Sequence, residues 1–470
     1  MDIIPTQLNY SKNKLIHPFY KLSRVLPLSG SQTTTITSSG GQEVLFEIPS
    51  KCFNLARSYL SFDMTPAAGG ALNFNNVFAD CLAPVRQIQV YTRGGLYLCD
   101  INEVGVYTQI VSKAETKLDD FMTYDRGDGR EGTSLGSGHF NGIMKPSGVV
   151  VGSNPRWNIA NSLAYPYLGQ DYIENDYFIS GTTVNTAGPS ISYRIPLYLI
   201  RNSLLSLDKD LLFDEVLIFR LVFGSSSRVV TCSTTANAPF TGPTAFTGSI
   251  TVNNLQMLLS IEQNQDVINS LRDKMRSPEG LQILLPYIYT NKSSLSGTSQ
   301  SITLRYNRAH GINLQKIYYS VYHANESSNT AYDHGNYDMG NPITNVAAPS
   351  KISSFYTMLN NQRNQEFDVR CHPTSEDYLL LKEKIKGSVI LSSGQYNYNW
   401  FWMEDFTTPS SPLEQPLQPT EEVNMAQGID LSVEQKYDWF GTMVAGNYNH
   451  YAFSITQKIL SINANGINIS

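Results

Sequence analysis

Gly132-Thr133-Ser134-Leu135-Gly136 has the G-x-S-x-G spacing of a nucleophile elbow. That chemistry needs a serine held on a sharp turn between an apolar strand and a helix. Here glycine-rich loop flanks the motif on both sides, so the frame is missing and the match reads as coincidence. Arg126-Gly127-Asp128 spells an integrin-type tripeptide in the same loop, where receptor contact is the chemistry on offer. Asp125, Asp128 and Glu131 present carboxylates for calcium, but without the spacing and flanking helices of an EF-hand. The histidines His17, His139, His310, His323, His334, His372 and His450 are dispersed, with no H-E-x-x-H or i,i+4 pair to hold a metal. Cys371 precedes His372, yet adjacent side chains of a strand face opposite ways, so the two make no Cys–His dyad. The carboxylate pairs Asp119-Asp120, Glu404-Asp405 and Glu421-Glu422 read as turns or solvated ends. Trp400 and Trp402 fall two apart in line with Tyr396 and Tyr398, which on a strand makes one aromatic face. Such a face is core or a subunit contact, or else a stacking platform for sugars or bases. The expectation is a chain with no catalytic residues, no cofactor and no metal site, hence not an enzyme.

The elements that must position these residues are predicted to be strands. The 470 residues include 28 Tyr and 20 Phe beside 33 Gly and 22 Pro, with 41% hydrophobic and only 16% charged residues. Many aromatics and turn formers with few charges favour β architecture. A net charge of -6 argues against a nucleic-acid-binding body and predicts no specific nucleic-acid site. Five cysteines (Cys52, Cys81, Cys99, Cys232, Cys371) lie far apart, which fits free thiols and folding in a reducing compartment. The N-terminus has no apolar run of the signal-peptide kind, and no stretch approaches the roughly 20 apolar residues of a spanning helix.

The chain is organised around residues 193–223, YRIPLYLIRNSLLSLDKDLLFDEVLIFRLVF. A short extended piece carrying Pro196 leads into a compact, partly helical insert over 203–213, then a long strand over 215–223. Leu217, Phe219, Leu221 and Phe223 share one face; Val216, Ile218 and Val222 share the other with Arg220. Both faces are apolar, so the strand lies between layers and the insert crosses from one layer to the other. Arg220 is expected to pair with an acid or to snorkel to a rim.

In chain order, residues 1–38 read as an N-terminal arm in which Lys12, Lys14, Lys21 and Arg24 outnumber Asp2. Strands are predicted at 43–48, 59–64, 85–90 and 96–99, a helix over 102–117, and a long glycine-dense loop over 124–154. Strands at 228–232 and 249–261 close the first unit, and a polar helix within 262–276 stops at Ser277-Pro278-Glu279-Gly280. The second unit is predicted to have strands at 281–290, 301–306, 317–322, 388–392 and 396–406, a partly helical piece at 355–364, and two final strands, 451–459 and 460–469.

Ile195-Pro196-Leu197, the short crossover after it and the long apolar strand ending at Phe223 resemble the double jelly-roll major capsid proteins. These belong to the viral lineage of adenovirus hexons, tailless membrane-containing phages, virophages and polinton-like elements. EVLFEIP and YLSFDMTP near the start and ITQKILSINANGINI at the end are similar to the first strand pair and last strand of that fold. The resemblance implies an all-β chain of two tandem eight-stranded jelly rolls with short helices in the crossovers and linker. The division would be an arm (1–38), a first jelly roll (39–262), a helical linker (263–280) and a second jelly roll (281–470). It further implies a structural protein whose homotrimer is a pseudo-hexameric capsomer that tiles an icosahedral shell. Neighbouring trimers, penton and minor capsid proteins, and an internal membrane reached by the arm would be its partners. The virion is its location, after folding in the host cytoplasm or nucleus. The aromatic face at Trp400 and Trp402 keeps open a different reading, a carbohydrate-binding or carbohydrate-cleaving β-sandwich.

Overall fold

The computed structural model describes residues 19–66, 71–74, 82, 84–115, 191–228, 230–233, 243–245, 248–278, 280–323, 352–363, 366–371, 376–385, 400–406, 423–424, 431–446, 448–463 and 466–470. The first half contains β1 (Tyr20–Val25), β2 (Thr34–Ile36), β3 (Glu43–Ile48), β4 (Phe53–Pro66), β5 (Ala71–Phe74), β6 (Val85–Thr92) and β7 (Tyr97–Asn102). Helix α1 (Val104–Glu115) follows, then β8 (Ile191–Pro196), β9 (Leu217–Phe223), β10 (Val230–Ser233), β11 (Pro243–Ala245) and β12 (Ile250–Glu262). One sheet runs β1-β12-β4-β8 with β2 also on β12, another runs β3-β9-β6-β7, and β11-β10-β5 make a small third. Phe62 of the first sheet meets Phe223 of the second edge-on, with ring centroids 6.1 Å apart, so these two sheets face each other. As expected, β8 and β9 lie in different sheets, and the chain between them makes the crossing. Ser203 caps the second of two 3-10 turns there, and Leu204, Leu205, Leu211 and Phe213 close the end of the core, all fully buried.

Helix α2 (Gln265–Arg276) separates the halves, capped by the Asn264 side chain, which accepts from the Asp266 amide at 3.0 Å. The second half holds β13 (Leu281–Ser294), β14 (Gly297–Tyr306), β15 (Asn313–His323), β16 (Ile352–Leu359), β17 (Gln362–Arg363) and β18 (Val369–Arg370). Then come α3 (Glu376–Lys384), β19 (Phe401–Asp405), β20 (Val423–Asn424), β21 (Leu431–Met443), β22 (Tyr448–Asn463) and β23 (Gly466–Ile469). The sheets are β13-β22-β15-β19 and β14-β21-β16-β17, with β20, β23 and β18 pairing β15, β22 and β16. Phe355 on one sheet and Trp402 on the other face each other at 4.8 Å between ring centroids. No sheet mixes strands from the two sides of α2 among the described residues. Each half is therefore its own antiparallel sandwich, and the expectation of an all-β chain holds.

Several expectations are corrected. The stretch 20–36 is not arm: β1 runs antiparallel along β12 from Tyr20↔Glu262 to Val25↔Met257, and β2 continues the edge. Its lysine and arginine side chains are exposed while its backbone completes the ladder of β12, so charge count misjudged it. Residues 355–363 of the piece expected to be partly helical are not helical, and 364 lies outside the described residues. Phe355 and Thr357 are buried on β16, and Asn360 and Asn361 both take positive φ (48° and 65°), which turns the chain tightly into β17. The boundary between the two final strands moves: β22 runs unbroken through Ile459 and Leu460, where it is ladder-paired with β13, and β23 begins at Gly466 and pairs back on β22. Helix α3 and strand β21 carried no expectation, nor did the short strands β5, β11, β18 and β20, although β21 sits inside its sheet.

Gly40 and Gly41 hold the link from β2 to β3 against the end of β9. The Gly41 amide donates to the Phe223 carbonyl at 2.8 Å, and both glycines have positive φ (65° and 88°). A Cβ on Gly40 would stand 2.6 Å from the Gly224 carbonyl carbon, whereas one on Gly41 meets nothing within 4 Å. Gly41→Ala carries only the left-handed backbone cost of about 1 kcal/mol. Gly40→Ala adds a backbone clash, and its thermal midpoint should fall well below that of Gly41→Ala in parallel melts.

Candidate functional site

A constellation of charged groups lies where the two sandwiches meet, and its anchors stand at the two ends of α1. Val104, Tyr107, Ile110, Val111 and Ala114 recur at helical spacing and are all buried. An acid stands at each end of this apolar stripe. Glu103, just before the helix, takes a positive φ of 57°, unusual for a residue with a Cβ. That turn sends its carboxylate inward, where Arg228 donates to Oε2 at 2.5 Å. Both side chains are 6% exposed. Arg86 at 3.8 Å and Lys292 at 3.6 Å complete the cluster on Oε1. Lys292 belongs to β13, so the cluster spans the junction.

Glu115 closes the helix in the same way. Its Oε1 accepts from the Tyr318 hydroxyl and lies 3.4 Å from Lys316 Nζ, both on β15 of the second sandwich. Asn202 of the first sandwich donates to the same carboxylate at 3.3 Å. Lys316 also pairs with Asp405 at 3.3 Å. Burial pulls the Lys316 ammonium down, but Glu115 and Asp405 outweigh it and leave its pKa raised. Burial, reinforced by Glu115, holds the Tyr318 and Tyr107 phenols well above their ordinary value, so both stay protonated donors. Between the two acids, Tyr107 packs on Phe453 of β22 at 5.3 Å between centroids. The Tyr107 hydroxyl donates to the Arg201 carbonyl at 2.9 Å. Thr290 of β13 donates to the Asn102 carbonyl at 3.2 Å. The arrangement is mechanical: opposite charges at both ends of one helix, with an apolar stretch between, clamp one sandwich on the other.

The sequence motifs distribute differently. Gly132–Gly136, Arg126-Gly127-Asp128, Asp125, Glu131, Asp119-Asp120, Glu421-Glu422, His17, His139, His334, His372, Tyr396 and Tyr398 lie outside the described residues, as does the His323 side chain. Among the described residues, no three His, Cys, Asp or Glu side chains are grouped to hold a metal ion. Arg220 pairs as expected, with Glu43 at 2.6 Å and Gln89 at 2.7 Å. Cys371 is buried, and burial with the nearby Asp377 pushes its thiol well above the ordinary value. His310 packs against Tyr289 and Tyr306 on a 3-10 turn. His450 is fully buried in the second core, so the two described imidazoles serve separate places.

Glu404 corrects the expectation of a solvated pair: it is buried, accepting from Trp402 Nε1 at 2.7 Å, Thr357 at 2.9 Å and Lys384 at 2.9 Å. Trp400 and Trp402 point into the same interior, and the Trp400 indole donates to Asp377 at 3.1 Å. Fully enclosed rings offer no face to a sugar, and the observation behind the carbohydrate reading falls. Glu103 and Glu115 were missed as functional residues. The helix was legible, but its partners Lys292 and Lys316 are remote in sequence and nothing local pairs them.

Two outcomes follow from these environments. Glu103→Gln leaves the Arg228 guanidinium buried without its counter-charge, and unfolding free energy in urea should drop by about 3–5 kcal/mol. Lys292→Met, which removes a half-exposed partner, should cost about 1 kcal/mol or less. For pH, burial lowers the His450 pKa from 6.5 to about 3. The folded imidazole resists a proton that the unfolded chain accepts, so this stability is complete above 6.5 and is lost as pH falls toward 3. Near pH 5 the loss is about 2 kcal/mol, and urea titrations of His450→Gln should show a correspondingly shallower acid slope than the parent.

No protein-family description matches the chain, and no curated protein sequence does. Solved structures do. PBCV-1 VP54, as fitted into a cryo-EM reconstruction of the virophage Sputnik, superposes with a TM-score of 0.52 at 10% identity over 97% of each chain. The Faustovirus major capsid protein gives 0.52 at 8% identity, covering 98% of this chain and 94% of that one. The PBCV-1 virus capsid gives 0.51 at 9% identity over 97% of each. At such identities the likeness is one of fold, and it runs the length of the chain, through both sandwiches and the junction between them. The chain has the double jelly-roll fold of viral major capsid proteins.

Proposed function

We propose that this protein is a viral major capsid protein: a structural, non-enzymatic chain that works by assembling with copies of itself. The observation that carries the reading is the clamped pair of antiparallel sandwiches, matched end to end by the fold of the PBCV-1 and Faustovirus capsid proteins. In this reading residues 281–470 form the second jelly roll, 263–280 the linker, and the first jelly roll begins near Tyr20 rather than at 39. Three chains make a pseudo-hexameric capsomer, and capsomers tile an icosahedral shell. Neighbouring trimers, penton and minor capsid proteins are the partners, and the remaining N-terminal residues 1–18 reach an internal membrane. The protein resides in the virion after folding in the host cytoplasm or nucleus.

Surface chemistry supports assembly. Leu22, Leu26 and Leu28 near the β1 edge are exposed, as are Leu284 on β13 and Phe440 and Val444 at the end of β21. Sandwich edges and apolar patches of this kind need covering. Multi-angle light scattering of the purified chain should give three times the monomer mass, and negative-stain images should show a three-fold particle of hexagonal outline. A strict monomer at high concentration would sink the proposal.

A further inference from the structure

The two sandwiches are filled by different chemistry. Phe46, Phe53, Phe62, Phe213, Phe219 and Phe223 dominate the first core, and none has a polar atom to satisfy. The second core is filled by Tyr306, Tyr319, Trp400, Trp402, Tyr437, Trp439 and His450. Strand alternation places the relevant groups on one interior layer. Leu431, Val433, Gln435, Tyr437 and Trp439 form the inward face of β21, each buried while their neighbours are not. Across the sandwich, His450, Ala452 and Ser454 share the inward face of β22, and Tyr319 lies beside Ala452 in register. The layer is closely knit. Tyr437 hydroxyl and His450 Nε2 are 2.9 Å apart, the Tyr319 and His450 rings 5.6 Å, and Trp439 stacks on Tyr437 at 5.4 Å.

Within this layer five buried polar atoms lack a protein partner: Tyr319 hydroxyl, both amide atoms of Gln435, Trp439 Nε1 and His450 Nδ1. The residues are at most 6% exposed. An orphaned buried polar atom is costly, and native interiors satisfy such atoms. The chemistry of the set selects the ligand. The five atoms carry no charge to attract an ion, and two carboxylates of this core are engaged: Glu404 accepts from Trp402, Thr357 and Lys384, and Asp377 from Trp400. Trp439 Nε1 and the Gln435 amide nitrogen donate, the Gln435 amide oxygen accepts, the Tyr319 hydroxyl can do either, and His450 Nδ1 donates or accepts according to the tautomer its Nε2 contact with Tyr437 sets. A neutral ligand that accepts and donates in turn is required, and water does both. Ala452, between His450 and Ser454, keeps the β22 side of the layer low.

We propose that the interior of the second sandwich holds a cluster of ordered water bound by Gln435, Tyr319, Trp439 and His450. The inference is independent of the capsid reading. It is tested by an experimental map of the full chain at a resolution that shows ordered water, together with melts of Gln435→Met. Discrete density within hydrogen-bond reach of at least two of these side chains, and a midpoint for Gln435→Met lower than the parent by about 2–4 °C, are expected. A dry layer in which these atoms bond directly to protein groups overturns the proposal, and so does a Gln435→Met protein that melts above the parent. If that variant does not fold, the map alone decides.

Discussion

The double sandwich depends on holding two self-contained β cores against each other without a shared sheet. Helix α1 supplies the solution. Its apolar stripe fills the seam, and Glu103 and Glu115 at its two ends are each met by cations from both or from the far side, Arg228 and Lys292 at one end, Lys316 at the other. Buried charges of this kind add little net stability over an apolar seam, since desolvation offsets most of the attraction. What they add is geometry. A misdocked pair of sandwiches would part Lys292 from Glu103 and take Lys316 and Tyr318 away from Glu115, which disfavours other relative placements.

The inner strand of the second sandwich shows the consequence for sequence. β22 serves two cores at once. Tyr451, Phe453 and Ile455 face the seam, Phe453 resting on Tyr107, while His450, Ala452 and Ser454 face the interior of their own sandwich. A strand buried on both sides loses simple alternation of apolar and polar residues. β9 has the same character in the first half, with only Arg220 and its partners Glu43 and Gln89 relieving an apolar run.

The cores divide the labour differently. A phenylalanine core tolerates small shifts because its contacts are non-directional. A core of Tyr, Trp and His carries a polar tip on nearly every ring, and several of these tips tie their rings to protein partners: Trp402 to Glu404, Trp400 to Asp377, Tyr437 to His450. Lys384 of α3 reaches the same Glu404, so that helix is fastened to the core by charge as well as by its buried Leu381.

Much of the fold was legible along the chain. Runs of β-branched and aromatic residues marked β3, β9, β12 and β13, the stripe of Val104, Tyr107 and Val111 marked α1, and the turn of style after Glu262 marked α2. Local rules failed where long-range pairing set the outcome. β1 looked like a charged arm because its strand identity comes from the ladder of β12. β21 went unread because Gln435 interrupts its apolar face and Glu434, Lys436 and Asp438 dominate the other. By itself, then, the amino-acid order determined the β character, the two-part layout and the crossover near Pro196, all of which rest on periodicity within a few residues. Only the tertiary structure decided which acids are buried, which tryptophans are hidden and which lysine meets Glu115, because a side chain's solvent and partners are set by strands that lie hundreds of residues away.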